Sequence, residues 1–66
     1  MKNNIKVQRA IHNLTQQDLA ERISVSRQTI NALEAGKYVP STVLALKLAK
    51  LFDKTVNEIF ELEPED

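Results

Sequence analysis

The 66-residue chain is predicted to be all-α, with five short helices and a brief extended segment near its C-terminal end. Hydroxyl residues repeatedly stand just ahead of apolar residues spaced three and four apart, and twice an acid follows three positions later. A serine or threonine so placed caps a helix start, and the acid completes a capping box. The only glycine, Gly36, and the proline Pro40 mark where the helical pattern stops.

Asn3 and Asn4 can cap a first helix running to about His12, with Ile5, Val7 and Ile11 as its apolar residues. Val7 and Ile11 form an i, i+4 pair off the stripe that contains Ile5. The preferred reading leaves them partly exposed, and the alternative has them meet another element or subunit. Thr15 caps a second helix, with Asp18 reaching back ahead of Leu19, Ala20 and Ile23. Ser24-Val25-Ser26 then breaks the period, Val25 tucks between neighbouring helices, and Ser26 caps a third helix from Arg27 to Ala35. Gly36 ends it as a left-handed residue. Residues 16–35 therefore read as a helix-turn-helix.

On the third helix Ile30 and Leu33 share the inner face, while Gln28, Asn31, Ala32 and Ala35 lie opposite and Arg27 and Thr29 flank them. Small residues and amides are not what a merely solvated face carries, but they suit close approach to a base-pair edge. Nine residues at about 1.5 Å each give a rod of roughly 14 Å, which a major groove about 12 Å wide admits. After the loop Lys37-Tyr38-Val39-Pro40, Ser41 caps a fourth helix over Thr42 to Phe52. Ala45, Leu48, Ala49 and Phe52 form its expected core stripe, with Leu44 and Leu51 on a neighbouring one. Thr55 and Glu58 make a second capping box, opening a last helix with Val56, Ile59 and Phe60. Phe60-Glu61-Leu62-Glu63 alternates with period two up to Pro64, the mark of a short strand.

These motifs resemble those of lambda-repressor-like (Cro/repressor, Xre-type) helix-turn-helix transcriptional regulators. The likeness rests on Gln16, Ala20, Val25, Ile30 and Leu33 at that spacing. It continues through Leu14-Thr15-Gln16, Ser26-Arg27-Gln28-Thr29-Ile30, Glu34-x-Gly36-Lys37 and Pro40, and is nearest to short, stand-alone members such as the cytolysin repressor. It implies a five-helix DNA-binding domain spanning residues 1–66, an internal Arg9–Glu34 ion pair, and a small antiparallel sheet joining residues 1–3 to the C-terminal strand. Two departures stand out: Ser24 occupies a turn position usually held by glycine, and Gln8 one usually held by leucine. A serine in the left-handed region costs about 1 kcal/mol.

Net charge is zero, yet its distribution is uneven. Residues 1–57 carry all nine Lys and Arg against Asp18, Glu21, Glu34 and Asp53, a balance of +5, whereas Glu58, Glu61, Glu63, Glu65 and Asp66 give −5. The acid is thus gathered at one end, leaving the remaining residues 1–57 basic enough for a polyanion. There is no cysteine, no secretory apolar region and no run near the roughly 20 residues of a membrane helix. A cytoplasmic location is expected. His12, the sole histidine, has no companion for a zinc site and belongs at the surface. Neither a metal nor a cofactor is expected. Nor is an enzyme, since nothing groups a nucleophile with a base and one glycine cannot build a phosphate loop.

The leading expectation is a sequence-specific regulator, a repressor that binds double-stranded DNA as a homodimer on a palindrome. Expected base contacts are Arg27, Gln28, Thr29, Asn31 and Ala32: Gln28 on adenine, Arg27 on guanine or phosphate, Thr29 and Ala32 on a thymine methyl. Gln16, Lys37, Tyr38, Lys6 and Arg22 are expected at phosphates. A C-terminal segment, about 44–63, is expected to dimerise through Leu44, Leu51, Phe60 and Leu62, because a small core has little need of so many apolar side chains. An antitoxin-like interaction module is the alternative, and capture of a partner protein would distinguish it.

Overall fold

A computed structural model describes all 66 residues. In chain order it runs β1 (Lys2–Asn3), α1 (Ile5–Ile11), α2 (Gln16–Ile23), α3 (Arg27–Glu34), α4 (Thr42–Phe52), α5 (Val56–Ile59) and β2 (Phe60–Glu61). The two strands pair antiparallel, Lys2 opposite Glu61 and Asn3 opposite Phe60, closing the chain on itself. The strand stops at Glu61, short of the alternation that runs to Glu63.

Four helices start where a hydroxyl accepts the third backbone N–H: Thr15 for α2, Ser26 for α3, Ser41 for α4 and Thr55 for α5. Helix α1 is the exception. Asn4, its cap by position, makes no side-chain cap bond. Asn3 does that work instead, its Oδ1 accepting from Ile5 N while its Nδ2 donates to the Leu33 carbonyl at the end of α3.

The first four helices also end alike. A left-handed residue follows each, Asn13, Ser24, Gly36 and Asp53. The next N–H reaches back five residues in every case: Leu14 to Arg9, Val25 to Ala20, Lys37 to Ala32 and Lys54 to Ala49. These are Schellman turns, which satisfy carbonyls a helix end would leave bare. Ser24 takes φ 61° within one, so the missing glycine is met by strain and not by a different turn.

The core joins Ile5, Leu19, Ala20, Ile23, Ile30, Leu33, Leu44, Leu48, Phe52, Ile59 and Phe60. Full burial of a side chain such as Leu48 contributes about 1.5–3 kcal/mol. On α4 the buried stripe is Leu44, Leu48 and Phe52, with Ala45 and Ala49 at its flank, a rotation of the stripe expected from the sequence. The larger side chains win the centre. Gln8 is also buried, and its Oε1 has no hydrogen-bond partner, the cost of an amide where an apolar side chain would pack freely. Val7 and Ile11 lie exposed on α1.

Candidate nucleic-acid interface

Helix α3 is anchored by Ile30 and Leu33, both fully buried, so its opposite side must face outward. Arg27, Gln28, Asn31 and Ala35 are exposed there, with Thr29 and Ala32 half-buried beside them. The eight residues form a rod about 12 Å long, matched to the width of a major groove. Ser26 holds its N-terminal end, its Oγ accepting from Thr29 N and lying 3.0 Å from Thr29 Oγ1. That engages the Thr29 hydroxyl locally, so what the side chain can offer outward is its methyl group.

A polar chain links this face to the interior. Arg9 Nε donates to Glu34 Oε2 at 2.8 Å and Nη2 to Oε1 at 3.3 Å, a two-pronged pair whose side chains are only 17% and 8% exposed. Arg9 Nη1 also donates to the Leu14 carbonyl, fixing the loop between α1 and α2. Gln16 Nε2 then donates to Glu34 Oε1 at 3.1 Å and to Asn31 Oδ1 at 3.4 Å. Both amide hydrogens of Gln16 are thereby directed inward or along the face. The side chain keeps no free N–H for the phosphate contact expected of it. No feature of the sequence joins Gln16 to Asn31, since the two lie on different helices.

Lys37 and Tyr38 are exposed immediately beyond α3, and Lys6 is exposed on α1. Arg22 stands elsewhere, lining a shallow groove with Lys47 and Lys50 between the end of α2 and α4. None of Lys6, Arg22, Arg27 or Lys37 enters an ion pair, so all four charges are free for an anion. The acidic tail is partly drawn aside: the Met1 ammonium lies 3.2 Å from Glu63 and from Asp66. The hydrogen bonds it donates to those two carboxylates, Glu63 first, raise the amine's pKa above its ordinary value.

Of the four residues expected at a dimer contact, Leu44 and Phe60 lie in the protomer's own core, 6% and 8% exposed. This corrects the argument that they are surplus to it: the rotated stripe of α4 uses Leu44, and the β1–β2 pairing folds Phe60 inward. Leu51 is half-buried, and Leu62 is exposed. Besides Val7 and Ile11 on α1 and Tyr38 beyond α3, the large apolar side chains left exposed are Val39, Val43, Leu46 and Leu62. Val39 and Leu46 share one groove with Pro40, Val56 and an edge of Phe60.

No helix is long and apolar enough to cross a membrane, and no group of His, Cys, Asp or Glu is arranged to hold a metal. A helix-turn-helix family model matches residues 5–59. An uncharacterized HTH-type transcriptional regulator of Methanocaldococcus jannaschii is 54% identical over 66 residues, covering all of both chains. The similarly named YgzD of Bacillus subtilis is 46% identical over the same full length. A third regulator of this type, from Archaeoglobus fulgidus, is 46% identical over 66 residues, 93% of its length. The chain belongs to the Cro/C1-type helix-turn-helix family of DNA-binding transcriptional regulators.

Proposed function

We propose that the protein is a sequence-specific regulator that occupies an operator in double-stranded DNA as a two-fold homodimer, and that it represses transcription by that occupancy. The observation that carries this reading is the outward face of α3, where Arg27, Gln28 and Asn31 stand uncovered on a helix fixed from behind by Ile30 and Leu33. Gln28 offers a donor and an acceptor to adenine, Arg27 a fork to guanine or phosphate, and Thr29 and Ala32 apolar contact to a thymine methyl. Lys37, Tyr38, Lys6 and Arg22 contribute phosphate contacts, and Gln16 does so only through its backbone N–H at the start of α2.

The dimer forms through the segment 44–63, with Leu62 and Leu51 joined by Leu46 and by Val43 and Val39 just ahead of the segment, and with Phe60 offering the edge it leaves in the groove. Selection of bound fragments from a random duplex pool tests the whole reading. A palindromic motif with half-sites one helical turn apart is expected. With about six charge-neutralising contacts per dimer, log K against log salt falls with a slope near −5. No enriched motif, or a slope near zero, overturns it.

A further inference from the structure

The polar chain that runs from Arg9 to Asn31 has a fixed direction. Glu34, paired with Arg9, offers only acceptors, so the Gln16 atom 3.1 Å from its Oε1 is the amide nitrogen. That nitrogen in turn lies 3.4 Å from an atom of the Asn31 amide, and a second donor would repel it, so that atom is Oδ1. Each link sets the next. The carbonyl of Asn31 is turned toward α2, and its Nδ2 is left to point away from it.

We propose that Gln16 is a positioning residue for base recognition: seated on the Arg9–Glu34 pair, it turns Asn31 Oδ1 inward and presents Nδ2 to the major groove. Asn31 then selects a keto-bearing base, guanine or thymine, at its place in the half-site. This rests on the DNA-binding reading above. An asparagine that reads adenine uses both amide atoms on one edge, accepting from N6 and donating to N7. With the carbonyl held against α2 that edge is not offered. A lone donor finds guanine O6 and N7 or thymine O4, whereas adenine offers it N7 alone beside an N6 amino group that repels it, and cytosine only an amino group. Nothing about Asn31 alone implies this, because a free amide rotates to suit either partner.

The test is selection from one random duplex pool, at one salt concentration, with wild type, Asn31→Ala and Gln16→Leu. If wild type enriches no sequence, the DNA-binding reading fails and this inference fails with it. If a motif emerges, Asn31→Ala is expected to flatten one position per half-site. At that position wild type prefers guanine or thymine over adenine and cytosine by about tenfold. Gln16→Leu frees the amide, so adenine becomes accepted there while the rest of the motif is kept. The proposal is overturned if wild type prefers adenine or cytosine at that position. It is equally overturned if Asn31→Ala leaves every position unchanged, or if Gln16→Leu weakens all sequences alike and keeps the preference. Should Gln16→Leu not fold, proton exchange in the free wild type decides: the side-chain amide of Gln16 exchanges markedly more slowly than that of Gln28, and equal rates overturn the link.

Discussion

Ser24 and Glu34 show how single residues carry the cost and the constraint of this site. Of the three non-glycine residues in the left-handed region, Asn13 and Asp53 belong to the types that visit it readily, whereas Ser24 does not. Ser24→Gly should stabilise the protein by about 1 kcal/mol, seen as a rise of roughly 4–8 °C in melting temperature. An unchanged melt would show that the turn carries no strain. Glu34, 8% exposed, stands at the disfavoured C-terminal end of α3, so its stability depends on the Arg9 fork. Arg9→Met leaves that carboxylate without its cation and should cost about 3 kcal/mol, against under about 1 for a surface pair. Calorimetry of the two proteins separates these values. Gln28 is tested by binding: Gln28→Ala should lose roughly 1–3 kcal/mol on the selected operator and almost nothing on random DNA. Equal losses on both would assign it to the backbone.

The elements owe their boundaries to local chemistry, and those boundaries were the most legible part of the sequence. Thr15, Ser26, Ser41 and Thr55 each cap the helix they precede, because a hydroxyl ahead of a helical stripe has few better uses. Less could be read where tertiary packing decides between similar stripes. Leu44 and Ala45 are neighbours in sequence, and only the volume left by Phe52 and Leu48 determines which one faces in. Likewise, helical periodicity made the outward side of α3 legible, while the bond from Gln16 to Asn31 joins two helices whose relative placement periodicity does not contain. The capping boxes also have a pH signature. Hydrogen bonds from the backbone and then the side chain of Thr15 hold the Asp18 carboxyl below its usual range, with a smaller contribution from Arg22. Thr55 acts on Glu58 in the same way, aided by Lys54. Because these folded values are depressed, the stability they confer is present above the unfolded carboxyl range and is lost as pH falls through the folded values. Melting temperature should therefore decline below about pH 4, and less steeply in Asp18→Asn/Glu58→Gln. Identical slopes would remove the boxes from the acid response.

At the scale of the molecule, a protomer measuring 32 × 23 × 20 Å is of the size that lets two copies, side by side, set their α3 helices about 34 Å apart. Leu62, 77% exposed, and Leu46 lie outside the protomer core, so charging them should spare the fold and break the proposed dimer. Sedimentation of Leu46→Glu/Leu62→Glu at tens of micromolar should give a monomer with wild-type helix content. A dimer that persists would move the interface elsewhere. The small sheet has a separate consequence, in the order of events as the chain folds. Helices α1 to α5 close over contacts a few residues apart, whereas Lys2 and Glu61 are joined across almost the entire chain. Closing that longest loop carries the largest entropic cost for the fewest bonds, so the strands join last and part first. The Asn4 N–H, bonded to the Ile59 carbonyl beside them, should accordingly exchange with solvent through a local opening well before amides of α4 around Leu48, which wait for global unfolding.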